Sequence, residues 1–126
     1  MSRKYVAIGA ICGLLSVAIG AFGAHALKSV LDDDARSVYE TGVQYQMYHS
    51  LALLLVGILS HLWGESGRLR WAARLFLAGI ILFSGSLYVL SITGVSVLGA
   101  ITPLGGAAFL SAWILIAVTA LRRGKN

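Results

Sequence analysis

The chain has 126 residues, of which 58% are hydrophobic and 12% are charged, and its mean hydropathy is +0.83. A soluble domain carries about a quarter charged residues, so this composition excludes a soluble globular protein and predicts one integral membrane domain over residues 1–126. The formal charge of +5 does not indicate nucleic-acid binding, because the basic residues flank apolar segments and form no basic stretch interleaved with aromatic residues.

Four apolar stretches predict four transmembrane helices, over about residues 5–27, 45–63, 71–92 and 98–121. Each is long enough to cross about 30 Å of hydrocarbon at about 1.5 Å per residue. None shows the alternation that is typical of a barrel strand. The predicted fold is therefore an all-α integral membrane protein, a four-transmembrane-helix bundle.

The first stretch also resembles a secretory signal peptide. Arg3 and Lys4 precede it, and Ala24-His25-Ala26 has the small-residue pattern of a cleavage site. However, its apolar run is longer than the roughly 7–15 residues of a signal peptide, and its removal would leave three spans and upset the charge balance. We interpret it as a retained span.

Small residues recur along this first span at alternating spacings of four and three. They are Gly9, Gly13, Ser16, Gly20 and Gly23. Such a seam, which includes one GxxxG motif, lets a neighbouring backbone approach closely. The seam predicts helix packing inside one bundle, and the alternative is a contact between subunits of a homo-oligomer.

Residues 29–44 differ from the spans because they combine polar and apolar residues. Asp32, Asp33 and Asp34 suit a helix start, and apolar residues then recur at helical spacing with polar residues between them. This pattern predicts a short amphipathic helix between the first and second spans, lying on the outer surface. The alternative is an extension of the second span, bent near Gly42.

The distribution of Lys and Arg predicts the orientation in the membrane. Eight of the ten basic residues lie on one side, at the two ends and in the second loop: Arg3, Lys4, Arg68, Arg70, Arg74, Arg122, Arg123 and Lys125. The other side holds only Lys28 and Arg36. This asymmetry predicts that both termini are cytoplasmic.

Polar side chains inside the spans are costly and are therefore the best candidates for a functional site. With this orientation they gather near the outer face, and they form a predicted outer-leaflet polar cluster of His25, Gln46, His49, Ser84, Tyr88 and Thr102. Two interpretations are open, namely hydrogen bonds that hold the helices together and a site for a ligand or substrate. A less favoured interpretation is that His25 and His49 bind haem or quinone.

Catalytic and metal-binding patterns are missing from the sequence. It contains no zinc spacing, nucleophile elbow or phosphate loop, so we expect neither enzyme activity nor a cofactor. All five carboxylates lie in loops, which argues against a proton-coupled cation exporter. We expect a structural, assembly or lipid- or small-ligand-binding module whose partner is membrane lipid. The alternative is an oligomeric carrier or channel for a small, weakly polar solute.

Four stretches of the chain resemble the signatures of one small membrane family. They read GAFGAHAL over residues 20–27, QYQMYH over 44–49, FSGSLY over 83–88 and ITPLGG over 101–106. The chain thus resembles the uncharacterised protein family 0382, also called domain of unknown function 423. The resemblance implies a multi-pass plasma-membrane protein of bacteria, and it implies no activity.

Overall fold

A computed structural model describes residues 2–123, which are helical apart from short connections and contain no β-strand. The basic residue Lys125 lies outside these described residues. The elements in chain order are α1 (Ser2–His25), α2 (Asp33–Trp63), α3 (Gly67–Gly79), a π-helical segment (Ile80–Ser84), α4 (Gly85–Thr93), a 3-10 helix (Ser96–Ala100) and α5 (Thr102–Arg123). The predicted all-α class is confirmed.

Three helical stretches are long and apolar enough to cross a membrane: Ser2–His25, Gly67–Thr93 and Ser96–Arg123. The second of these runs without a break through α3, the π-helical segment and α4. Large apolar side chains point outward from these stretches; Leu14 is 66% exposed and Leu110 is 67% exposed. Such surfaces suit a lipid environment, because they would be costly in water.

Helix α2 is continuous over 31 residues, so the predicted separate amphipathic helix within residues 29–44 is wrong. Asp32 does cap a helix as expected, since its side chain accepts a hydrogen bond from the Ala35 amide at 2.8 Å. The helix that it begins is α2 itself. The apolar positions that suggested a surface helix include Tyr39, which is buried at 4% exposure and donates to the Ile19 carbonyl of α1 at 2.7 Å. The apolar face of this first part of α2 therefore packs on protein rather than on a membrane surface.

Helices α1 and α2 pair in an antiparallel hairpin along nearly the whole of α1. Successive side-chain hydrogen bonds join Tyr39 to Ile19, Ser16 to Val43 and Gln46 to Cys12. Further inward, a Cβ atom added to Gly57 of α2 would lie 2.8 Å from the carbonyl oxygen of Ser2. α2 therefore accompanies a membrane-length helix from one end to the other.

The small-residue seam of α1 faces α2. A Cβ atom added to Gly9 would lie only 2.7 Å from the amide nitrogen of Leu54, whereas one added to Gly13 would meet nothing closer than Ser50, at 3.9 Å. The other members contact α2 nearer its start: Ser16 and Gly20 lie against Val43, and Gly23 lies against the Tyr39 ring. The seam thus packs two helices of one chain together.

Helix α5 packs mainly on α3 and the π-helical segment, and these elements also pack on α2. Phe76 of α3, Leu53 of α2 and Ala112 of α5 are each almost completely buried where the helices meet. Pro103 lies in the first turn of α5, where its missing N–H costs little. In contrast, α1 packs almost wholly on α2.

Candidate functional site

The amide side chain of Gln46 joins three helices at one point. Its Nε2 donates to the Cys12 carbonyl of α1 at 2.9 Å, and its Oε1 accepts from the Tyr88 hydroxyl of α4 at 2.6 Å. Gln46 is 4% exposed. Because a buried amide without partners is costly, these two hydrogen bonds both satisfy Gln46 and fix the relative positions of α1, α2 and α4.

Ser84 forms a second link, one helical turn nearer the start of α2. Its hydroxyl donates to the Gly42 carbonyl at 2.7 Å, and its side chain is fully buried. Ser84 ends the π-helical segment, where the Gly85 amide donates to the Ile80 carbonyl five residues earlier. A π-helical turn holds more residues than an α-helical turn, so it rotates α4 relative to α3. Both Ser84 and Tyr88 then face α2.

His49 lies one turn deeper along α2, and both of its ring nitrogens are engaged. Nδ1 lies 2.7 Å from the Tyr45 carbonyl oxygen, which can only accept, so Nδ1 carries the proton. Nε2 accepts a hydrogen bond from the indole N–H of Trp113 at 3.2 Å. The arrangement therefore requires neutral imidazole protonated at Nδ1, with no lone pair left for a metal ion.

Aromatic rings enclose His49. Its imidazole stacks on Phe109 with centroids 3.5 Å apart and ring planes 5° apart, and Phe76 approaches from another side at 5.7 Å. Gly79 provides space for the Phe109 ring, which a Cβ atom at that position would strike. The result is a filled centre of stacked and tilted rings rather than an open chamber.

The level of these residues follows from the helix pairing. Gln46 lies opposite Cys12, which is near the middle of α1, and His49 lies against Phe109 of α5. The sequence predicted a level near the outer end because it placed the start of the second span at residue 45, whereas α2 begins at Asp33. Gln46 and His49 therefore lie about halfway along the bundle. Their depth in a bilayer stays a prediction.

Two members of the predicted cluster lie elsewhere. His25 is exposed at the end of α1, about 20 Å along that helix from the level of Cys12 and Gln46 at about 1.5 Å per residue. Thr102 pairs with Ser86, their hydroxyl oxygens being 2.6 Å apart near the start of α5. The hypothesis that His25 and His49 jointly ligate one haem is wrong, because one haem iron cannot reach both levels. Quinone binding stays a prediction.

Gln46, His49, Ser84 and Tyr88 together form what we call the central site. Its chemistry is hydrogen bonding between neutral groups. Among residues 2–123, no three His, Cys, Asp or Glu side chains lie close enough to hold a metal ion. Each site residue pairs with a carbonyl oxygen or with another site residue. Such a network can hold helices in register.

The sequence did not identify the rings from the other helices that contact His49, namely Phe76, Phe109 and Trp113, or Phe83, which contacts Phe109. Lipid and a protein core solvate an aromatic side chain about equally well, so hydropathy does not reveal which rings point inward. The one available signal was the glycines at positions 79 and 105, which face the Phe109 ring and the Phe83 backbone respectively. A glycine within an apolar span indicates that something bulky lies opposite.

Comparison with known proteins supports the resemblance seen in the four signature stretches. A family model described as a protein of unknown function, DUF423, matches residues 19–106. The chain belongs to the DUF423 family. No solved structure matches it.

Relatives of this DUF423 protein cover nearly the whole chain. The UPF0382 membrane protein YwdK of Bacillus subtilis is 51% identical over 120 residues, which are 95% of this chain and 98% of the relative. UPF0382 membrane proteins of Staphylococcus haemolyticus and Staphylococcus aureus are 42% and 44% identical over the same number of residues, 95% of this chain and 97% of each relative. The prediction of a multi-pass membrane protein of an uncharacterised family is confirmed.

Proposed function

We propose that this protein is a non-enzymatic four-span module of the bacterial plasma membrane, with α2 as the additional span. The pairing of α1 with α2 carries the proposal. α1 is long and apolar enough to cross the bilayer, and α2 lies beside it from Tyr39 to Gly57, which supports a position of α2 inside the bilayer too. Its buried polar side chains, among them Gln46 and His49, are tolerated there because they pair with protein groups rather than face lipid.

The orientation that we propose has both termini in the cytoplasm. The start of α1, the turn between α2 and α3, and the end of α5 lie at one end of the bundle. At that end, Arg123 donates to the Trp63 carbonyl at 2.9 Å, and Lys4 lines the same pocket as Arg70 and Arg74. The positive-inside rule assigns this basic end to the cytoplasm.

A labelling experiment tests this topology. In a Cys12→Ser background, Ser29→Cys lies in the first loop and Gly67→Cys lies at the start of α3, directly after the second loop; both positions are exposed. A membrane-impermeant maleimide added to intact cells should label Ser29→Cys, and it should label Gly67→Cys only after the membrane is permeabilised. Labelling of both sites in intact cells would contradict the topology.

The function that we propose for the central site is to hold the helices together. The observation behind this proposal is that the polar side-chain atoms of both residues are already hydrogen-bonded within the protein. The amide nitrogen and oxygen of Gln46 bond to α1 and α4, and the two ring nitrogens of His49 bond to its own helix and to α5. A site built for a solute would leave such groups pointing into a cavity. Because these groups already have partners and aromatic rings fill the space around His49, they hold neighbouring helices together by hydrogen bonds instead.

The test of this function compares two glutamines on the same helix. Gln46→Leu should lower the free energy of unfolding by about 1–2 kcal/mol, because interhelical bonds average about 0.6 kcal/mol and the Tyr88 hydroxyl loses its partner. Gln44→Leu is the matched control, since Gln44 is exposed and should leave stability unchanged. SDS titration of the purified protein measures both. Wild-type stability of Gln46→Leu would argue that Gln46 serves a ligand.

The oligomeric carrier requires a different arrangement. The rings around His49 fill the bundle centre, so a solute pathway would have to run between copies of the chain. Native mass spectrometry from mild detergent decides this point. A monomer under those conditions would exclude the carrier function, whereas a stable homo-oligomer would make the carrier function the better proposal.

A further inference from the structure

A pocket of about 210 Å³ lies between the inner ends of α1 and α3, above the buried face of α2. Its floor is apolar and includes Ile8, Leu53 and Leu77. Its rim carries three cationic side chains, Lys4 from α1 and Arg70 and Arg74 from α3. The pocket exists because α1 packs on α2 and scarcely contacts α3, which leaves a cleft between the two helices.

The charge around this pocket is unbalanced. Four of the five carboxylates, Asp32, Asp33, Asp34 and Glu40, belong to the opposite end of the bundle, so Glu65 is the one acidic side chain near the basic end. Lys4 and Arg74 are exposed, and Arg70 is half-buried. Arg74 lies over the Trp71 ring at 5.1 Å, a contact that orients its guanidinium without neutralising it.

We propose that this pocket binds one anionic phospholipid of the inner leaflet. The phosphate is held by Lys4, Arg70 and Arg74, since guanidinium groups match phosphate oxygens in pairs and lysine adds a point charge. An acyl chain lies along Ile8 and Leu77. This inference rests on the proposed four-span topology, which places the pocket where headgroups meet hydrocarbon.

A neighbouring groove shows why charge decides the occupant. A second groove at this end, between α1 and α2, is larger, about 490 Å³, but among residues 2–123 Arg3 is the only Lys or Arg that lines it. Any lipid chain fits such an apolar surface, so it gives no selectivity for headgroups. Three cations converging over an apolar floor instead favour a negatively charged headgroup that has attached chains.

Native mass spectrometry of the full-length protein tests the proposal with two lipids that share their acyl chains, dioleoyl phosphatidylglycerol and dioleoyl phosphatidylcholine. One phosphatidylglycerol should stay bound at collision energies that strip phosphatidylcholine. The double substitution Lys4→Gln and Arg74→Gln should weaken phosphatidylglycerol binding about thirtyfold, from the loss of two membrane-facing cations. The matched control, Arg3→Gln with Arg122→Gln, removes the same charge outside the pocket and should bind as the wild type does.

Two further measurements keep the lipid and the phosphate separate. Leu77→Trp fills the apolar floor without changing charge, and it should also weaken phosphatidylglycerol binding. Millimolar inorganic phosphate should not displace the lipid, and displacement would mean that a free anion is the ligand. Equal binding of the two lipids, or equal weakening in the control, would overturn the proposal. Cysteine labelling of the same variants reports the topology independently, so a failure of this inference is distinguishable from a failure of the four-span proposal.

Discussion

The two main interfaces of this bundle are built by opposite means. Between α1 and α2, glycines bring backbone against backbone, as where Gly9 meets Leu54. Between α2, α3 and α5, large rings interdigitate, as where His49, Phe76 and Phe109 meet. Both solve the same problem, because lipid removes the hydrophobic drive that joins helices in water and leaves packing and hydrogen bonds to do so.

Glycine has two functions in these interfaces. Gly9 of the seam and Gly57 on α2 admit a neighbouring backbone, as Gly105 of α5 does at the Phe83 backbone, whereas Gly79 admits the ring of Phe109. The first kind sets the distance between two helices along their length. The second kind makes a local recess for one side chain. We call the rings of Phe76, Phe109 and Trp113 around His49 the ring cluster. We therefore expect added volume in the seam, and removed volume in the ring cluster, to lower the stability of the bundle.

The largest effect is expected from Gly9→Ala. The added Cβ atom would lie 2.7 Å from the Leu54 amide nitrogen and 2.9 Å from the Ser50 carbonyl oxygen, and neither backbone atom can swing aside. The helices must separate, so we expect a loss of about 3 kcal/mol in the free energy of unfolding, the upper part of the usual range for overpacking. SDS titration in mixed micelles measures it.

Gly13→Ala provides the control for this prediction. Its added Cβ atom would meet Ser50 at 3.9 Å, an ordinary contact, and should leave stability within about 0.5 kcal/mol of the wild type. Equal losses at both positions would show that helix separation at the seam is not what the larger loss measures.

The ring cluster should respond to Phe109→Ala with a loss of about 2 kcal/mol. The unfolded helices remain in lipid, so the transfer contribution largely cancels and the cost of the cavity is what remains. Leu110→Ala is the control, because Leu110 is 67% exposed and leaves no cavity. If both substitutions cost the same, the ring cluster is no more tightly packed than the lipid-facing surface.

The two interfaces also differed in how far the sequence predicted them. The seam was visible as a regular spacing of small residues, which a backbone contact requires. The ring cluster was not visible, because Phe109 and Trp113 look the same in a span whether they face lipid or protein. The π-helical segment was not predicted either, and neither was the hydrogen bond from its Ser84 hydroxyl to the Gly42 carbonyl. The polarity of residues 29–44 suggested a surface helix, because the sequence alone does not show that α1 and α4 cover the buried face of this segment.

The smallest expected effect lies where the two interfaces meet. Tyr88 packs beside Tyr39, with ring centroids 5.4 Å apart, and its hydroxyl donates to Gln46, which in turn holds α1. Tyr88→Phe keeps the ring and removes only the hydroxyl, so it should cost about 0.6 kcal/mol, the average of one interhelical bond. Tyr48→Phe, at a ring that is 55% exposed, should cost nothing measurable. A loss above about 2 kcal/mol would exceed a single bond in a bundle of this kind. It would mean that the seam and the ring cluster depend on each other through Gln46 and unfold as one unit.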